Sequence, residues 1–161
     1  MMNPTYTTRS KASALTLFIV SVCAILFSGC ATTPMASSSQ DAAAKLMIPP
    51  PEQSNIYIVR ASGIWGSAIS FQVFVNGQFI GTIAPGTFHM VTLDPGEHLV
   101  SVISNENAES LNVGTSEGNN YFIAVRPRSG AMTARVSIRL LSDTEGKDMV
   151  QKANLAQALN H

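Results

Sequence analysis

From Asn55 onward, apolar residues recur in short alternating runs separated by turn residues, the pattern of half-buried strands. Asn55 to Arg60 is the first run. A Gly-rich loop through Trp65 leads into Ile69 to Val75, where Ile69, Phe71, Val73 and Val75 alternate with Ser70, Gln72 and Phe74. Asn76-Gly77 supplies the two positive-φ positions of a type I′ hairpin turn, and Gln78 to Ile83 returns. Such a turn sets Val73 opposite Ile80 and Phe74 opposite Phe79, so both faces of the hairpin carry apolar side chains. One face builds a core; the other needs a cover.

Ala84-Pro85-Gly86 turns the chain into Thr87 to Leu93, and Asp94-Pro95-Gly96-Glu97 turns it again into His98 to Ser104. Closing that second turn as a hairpin pairs Leu93 with His98 and Val91 with Val100, so that His98 shares the face of Val100 and Val102. A weaker strand is expected at Ser110 to Gly114. Asn120 to Arg126 and Thr133 to Leu141 make a last hairpin, with Ala134, Val136, Ile138 and Leu140 on one side and Arg135, Ser137 and Arg139 on the other. Ser142-Asp143-Thr144-Glu145 matches a capping box, and an Ala-rich helix is expected to continue from Asp148 to Leu159. Its apolar side, with Met149, Val150, Ala153, Ala156 and Leu159, is the natural cover for the hairpin's second face. The alternative is a fraying tail that leaves the face to a partner. The pattern predicts an all-β fold: a small antiparallel β-sandwich of about seven or eight strands over residues 55–142, then a helix or tail over 143–161.

The N-terminal part follows other rules. Arg9 and Lys11 precede a nearly unbroken apolar run, Ala12 to Phe27, that closes on Ser28-Gly29. This is the layout of a secretory signal over residues 1–29; an uncleaved anchor is the alternative, the run being near the lower length limit for a spanning helix. Leu26-Phe27-Ser28-Gly29-Cys30 resembles the bacterial lipobox, with Phe27 where Leu is commoner. The resemblance implies a diacylglyceryl group on the Cys30 sulfur, cleavage before that residue, and acylation of the new amino group. At about 0.8 kcal/mol per buried methylene, several acyl chains give stable membrane attachment. In lipoproteins of this kind an Asp after the cysteine retains the protein at the inner membrane. Ala31 implies instead an outer-membrane, periplasm-facing location.

From residue 30 to 54 the composition shifts to Ala, Thr, Ser, Gln and Pro, and Pro49-Pro50-Pro51 favours an extended segment. This stretch is expected to be a flexible tether reaching about 25–30 Å. Charge narrows the function classes further. The 10 basic and 10 acidic side chains balance over the chain, and with Arg9 and Lys11 in the signal the remainder is slightly acidic. That gives no footprint for nucleic acid. Cys23 lies in the apolar run and Cys30 is the lipid acceptor, so the domain beyond has no disulfide, no thiol nucleophile and no cysteine metal site.

Val73-Phe74-Val75-Asn76-Gly77-Gln78-Phe79-Ile80-Gly81, Gly86-Thr87-Phe88 and Leu93-Asp94-Pro95-Gly96-Glu97-His98 resemble the core of a family of bacterial lipoproteins, domain of unknown function 2846. The Asn-Gly and Pro-Gly-Glu-His turns are also similar to the shorter PEGA repeat of surface proteins. The resemblance spans most of Ile56 to Leu141. It implies a small β-sandwich behind a lipid anchor and brings no catalytic residues.

Candidate chemistry is sparse. His89, His98, Asp94 and Glu97 cluster near one turn and His89 and His98 are expected on one face, but the spacing matches no metal motif. Structural histidines are the better reading. Arg60, Arg126, Arg128, Arg135 and Arg139 offer a face for an anionic glycan or carboxylate. Trp65, flanked by glycines in a loop, is suited either to stacking on a sugar ring or to capping the core. With no nucleophile–base pair or phosphate loop, the sequence points to a non-enzymatic interaction or structural module, with no cofactor and no metal. Its expected partners are the membrane, through Cys30, and an envelope protein or peptidoglycan. The alternative is a peptidoglycan- or glycan-binding domain using Trp65, Arg135 and Arg139.

Overall fold

The computed structural model describes residues 33–158 apart from 65 and 67. Strands β1 (Ser54–Arg60), β2 (Phe71–Val75), β3 (Gln78–Ile83), β4 (Thr87–Leu93), β5 (Gly96–Ile103), β6 (Ala108–Thr115), β7 (Asn120–Ser129), β8 (Ala134–Leu140) and β9 (Asn154–Leu155) form two sheets, ordered β8-β7-β1-β4-β9 and β3-β2-β5-β6. The fold is the expected all-β sandwich. Helices α1 (Ser38–Ala44) and α2 (Asp143–Gln151) add a third layer.

Every residue of β1 is buried. Ile56 and Ile58 face the core between the sheets, together with Val73, Val100, Ile123 and Val136. Tyr57 and Val59 face outward into a second cluster with Phe88, Phe122, Ala44 and Val150. A strand covered on both faces loses its alternation of apolar and polar residues, which is why Ile56-Tyr57-Ile58-Val59 is a continuous apolar run. Its neighbours differ in direction: β4 pairs antiparallel, and β7 pairs parallel through Asn55↔Asn120 to Val59↔Ala124. One sheet is therefore mixed.

Several local expectations change. The β2–β3 hairpin keeps Phe74 opposite Phe79, but Val73 lies opposite Gly81 because a bulge inserts Ile80. The extra residue turns Ile83 inward, where it is buried with Ile80. The Asp94-Pro95 turn is not a hairpin within one sheet. It is a corner: β4 pairs with β1 and β9, while β5 pairs with β2 and β6. Leu93 is thus paired with Ser54, not His98.

The helix begins at the expected Ser142–Glu145 capping box but ends at Gln151 instead of running to Leu159. Beyond it, Asn154 N–H bonds Gly86 O at 2.9 Å and Ala156 N–H bonds Phe88 O at 2.8 Å, adding β9 beside β4. The open edge of β4 competes successfully for this weakly helical stretch. Leu159 lies outside the described residues. The helix also covers the outer face of the β1 sheet, not the second face of the β2–β3 hairpin, where the Phe74 and Phe79 rings pair at 5.2 Å and stay half-buried.

Residues 33–53, expected to be slack, are docked. A capping box joins Ser37 and Gln40 at the start of α1. Tyr57 donates its hydroxyl proton to Ala44 O at 2.9 Å, and burial pushes that phenol up to about 12, so it remains a neutral donor. Asn120 Nδ2 reaches Met47 O at 2.7 Å, Leu155 N–H reaches Asp41 Oδ1 at 2.7 Å, and Met35 bridges Ala156.

Gly146 in the first turn of α2 sets the helix against the sheet: a Cβ there would stand 2.1 Å from Phe122 Cγ. Gly146→Ala gains about 1 kcal/mol of helix propensity but must displace α2 from Phe122, so the variant should lose about 1–3 kcal/mol overall. Urea unfolding measures it, and unchanged or higher stability would contradict this packing.

Candidate functional site

Strand registers bring four connections to one end of the sandwich: β1–β2 (61–70), β3–β4 (84–86), β5–β6 (104–107) and β7–β8 (130–133). The turns 76–77, 94–95 and 116–119 lie at the opposite end. The first end holds most of the candidate chemistry.

Arg60 belongs to no surface patch. It shares the inward parity of Ile56 and Ile58 and is 1% exposed. Its Nη1 donates to Ile69 O at 2.6 Å and Ile83 O at 3.4 Å, its Nη2 donates to Gly66 O at 2.8 Å, and its Cζ lies 4.8 Å from the Phe71 ring centroid. Among the described residues no carboxylate pairs with it. Burial lowers its pKa from the usual arginine value, and carbonyl dipoles with an aromatic face stand in for a counter-ion. The guanidinium ties the Gly-rich loop to the core.

The neighbouring clamp is Glu106. Its carboxylate accepts from the N–H groups of Ala131 at 2.7 Å, Met132 at 2.8 Å and Thr133, and from Thr133 Oγ1 at 3.1 Å. These donors, Thr133 first, then Met132 and Ala131, hold its pKa down at about 2 from 4.5. A Cβ on Gly130 would press on the Glu106 carboxylate, so a larger residue there has to push the clamp aside. Asn107 adds a second link: its Oδ1 accepts from Val136 N–H at 2.8 Å and its Nδ2 donates to Val136 O at 2.9 Å. The amide thereby occupies ladder positions on the free edge of β8. Both residues lie in a loop whose polar composition marked only a turn, so sequence patterning did not single them out.

The remaining arginines form a face. β7 runs past its last pairing with β1, at Ala124, so its distal half and β8 form a two-stranded arm whose inner side chains, Val125, Ala134 and Val136, stay buried in the core. Arg126, Arg128 and Arg135 are exposed on the arm's outer side, Arg128 directly opposite Arg135. Like charges so placed repel. Arg139 shares this face but pairs with Glu145 at 3.2 Å. Lys45, Lys147 and Lys152 are likewise paired, with Asp41, Asp143 and Asp148. Among the described residues this leaves Arg126, Arg128 and Arg135 as the exposed cations outside ion pairs, all on the arm. Glu52, Asp94, Glu97 and Glu117 gather at the opposite end.

The histidines are not brought together. His89 is fully buried on β4, where Nε2 donates to Thr82 O at 2.9 Å, Nδ1 has no partner among the described residues and desolvation lowers its pKa. It is a neutral packing group: a Cβ on Gly81 would come within 2.9 Å of its Cε1. His98, on the other sheet, contacts Asp94 O at 2.8 Å and Asn76 Nδ2 at 3.0 Å. Among the described residues no group of three or more His, Cys, Asp or Glu is placed to hold a metal. Cys30 and Trp65 lie outside the described residues.

A shallow cleft of 460 Å³ runs between Ala68, Ile69 and Phe71 on one side and Asn105, Met132 and Thr133 on the other, without a titratable side chain. The family described as "Protein of unknown function (DUF2846)" matches residues 50–137, from the approach to β1 into β8. An "Uncharacterized protein" of Haemophilus influenzae is 37% identical over 134 residues, covering 83% of this chain and 79% of the relative. The chain belongs to the DUF2846 family. The family match takes in Arg60, Glu106, Asn107 and the arginines of the arm up to Arg135, leaving Arg139 beyond its end.

Two outcomes test the clamps of this DUF2846 protein. Arg60→Met leaves the Gly66 and Ile69 carbonyls without their donor; it should cost about 1–3 kcal/mol and expose the 61–70 loop to protease, whereas unchanged stability and digestion would contradict the clamp. Glu106 is ionised more readily in the folded state, so its contribution is complete above pH 4.5 and is lost as pH falls toward about 2. Wild type should melt above Glu106→Gln at neutral pH, with the gap narrowing below pH 4.5. A gap independent of pH would contradict the charged nest.

Proposed function

We propose that this chain is a lipid-anchored lipoprotein of the bacterial envelope, held at the outer membrane through Cys30, whose periplasmic sandwich is a non-enzymatic interaction or structural module. The observation that carries the reading is the Leu26–Cys30 stretch, which resembles a lipobox after a basic and apolar leader. The engagement of the titratable groups supports it. Arg60, His89 and Glu106 each hold the fold together, and the exposed arginines lie on an open strand face, where Arg128 Nε donates to Ser137 Oγ at 3.2 Å and Arg139 pairs with Glu145. Ala31 after the cysteine supports the outer-membrane location.

A peptidoglycan- or glycan-binding role is the second reading. Exposed Arg135, beside Arg126 and Arg128, favours it, whereas Arg139 is already engaged by Glu145. For the first reading the decisive experiment is metabolic labelling with palmitate in wild type and Cys30→Ala. Label should appear in wild type and vanish in the variant. An unlabelled wild-type protein would overturn the anchor even if it sedimented with membranes, because an uncleaved leader also sediments.

A further inference from the structure

The β7–β8 arm and its neighbouring loop carry the features of a surface that meets a charged interface. Met132 at the arm's tip is 94% exposed and Ile64 in the β1–β2 loop is 96% exposed. Behind Met132 stand Arg128 and Arg135, with Arg126 one pairing step further along the same face. The tip is held in shape, since Glu106 engages three consecutive backbone N–H groups and fixes the turn that presents Met132. A rigid turn offering an apolar side chain, collared by cations, is suited to the boundary between acyl chains and phosphate headgroups.

Two further observations select the occupant. Among the described residues the exposed cations outside ion pairs all lie on the arm, while Glu52, Asp94, Glu97 and Glu117 lie at the opposite end, so an anionic plane favours the arm end over the other. Glu106 and Glu109 lie near the arm and keep their charge, Glu106 held by backbone N–H groups and Glu109 accepting from Asn107 Nδ2 at 3.2 Å, so three arginines outweigh two acids at this end while four acids stand at the other. The position of the first described residue points the same way. Thr33 Oγ1 lies 3.2 Å from Thr82 Oγ1, one residue from the end of β3 that turns at this same end of the sandwich. Cys30 precedes Thr33 by a stretch of chain that extends at most about 11 Å.

We propose that this end of the domain docks on an anionic phospholipid surface, with Met132 and Ile64 entering the interface and Arg126, Arg128 and Arg135 meeting lipid phosphates. The proximity of Cys30 rests on the lipoprotein reading; the charge segregation and the apolar tip do not.

The test uses the full chain reconstituted in phosphatidylcholine vesicles with or without phosphatidylglycerol. Met132→Trp and Glu117→Trp, each in a Trp65→Phe background, are probed with phospholipids brominated on the acyl chains. Emission from Met132→Trp should be quenched when phosphatidylglycerol is present, and emission from Glu117→Trp should not. Replacing Arg126, Arg128 and Arg135 together by Gln should lower the ratio of docked to undocked protein up to about a hundredfold, as should high salt in part. An unchanged melting temperature verifies that this variant folds. Absence of quenching in palmitate-labelled protein overturns the docking surface while leaving the anchor intact. Quenching in protein without palmitate sustains the surface and removes the anchor. Arginine-dependent self-association without quenching overturns the proposal in favour of contact between the basic and acidic ends of two copies.

Discussion

The burial of both faces of β1 is the constraint on which the rest of the structure depends. A central strand with Ile56 and Ile58 on one side and Tyr57 and Val59 on the other needs two covers. The four-stranded sheet supplies one and the helical layer the other. Tyr57 couples them most directly, stacking on Phe122 at 5.2 Å while its hydroxyl ends at Ala44 O. Burying such an aromatic contributes about 1.5–3 kcal/mol, and its buried hydroxyl would be costly without the Ala44 carbonyl. The segment before β1 is therefore part of the domain, and α2 approaches closely enough that position 146 has no room for a side chain.

Much of the strand content was legible because alternation and turn chemistry agree. The β7–β8 hairpin shows it well: Ala134, Val136 and Ile138 enter the core while Arg135, Ser137 and Arg139 face out. Sheet membership was less legible, since Asp94-Pro95-Gly96 serves a hairpin or an inter-sheet corner equally well and only long-range packing decides. The bulge at Ile80 was hidden because its signal, Gly81, also suits an ordinary strand end. Parallel pairing of β1 with β7 joins residues far apart in sequence and leaves no local trace.

At the candidate site the arginine face was readable and its membership was not. Parity alone places Arg60 with Ile56 and Ile58, yet a buried arginine without a carboxylate is uncommon enough that composition argues against it. The Ser37–Gln40 capping box was present in the sequence, and the Pro and Ala bias around it masked a helix that tertiary contacts stabilise. Glu106 shows a different limit, because a carboxylate bound to a distant turn's amides has no pattern along the chain.

The antiparallel contact between Met35 and Ala156 has a temporal consequence. Ala36 N–H bonds Leu155 O, Gln157 N–H bonds Pro34 O, and Asp41 receives Leu155 N–H, so the two outermost described segments complete one another. A chain emerging in order can assemble its sheets strand by strand but leaves α1 and the edge of β4 without β9 until residues 154–157 arrive. Closure of the outer layer therefore waits for residues 154–157, and until they arrive the layer over the Tyr57 face stays incomplete at the edge of β4.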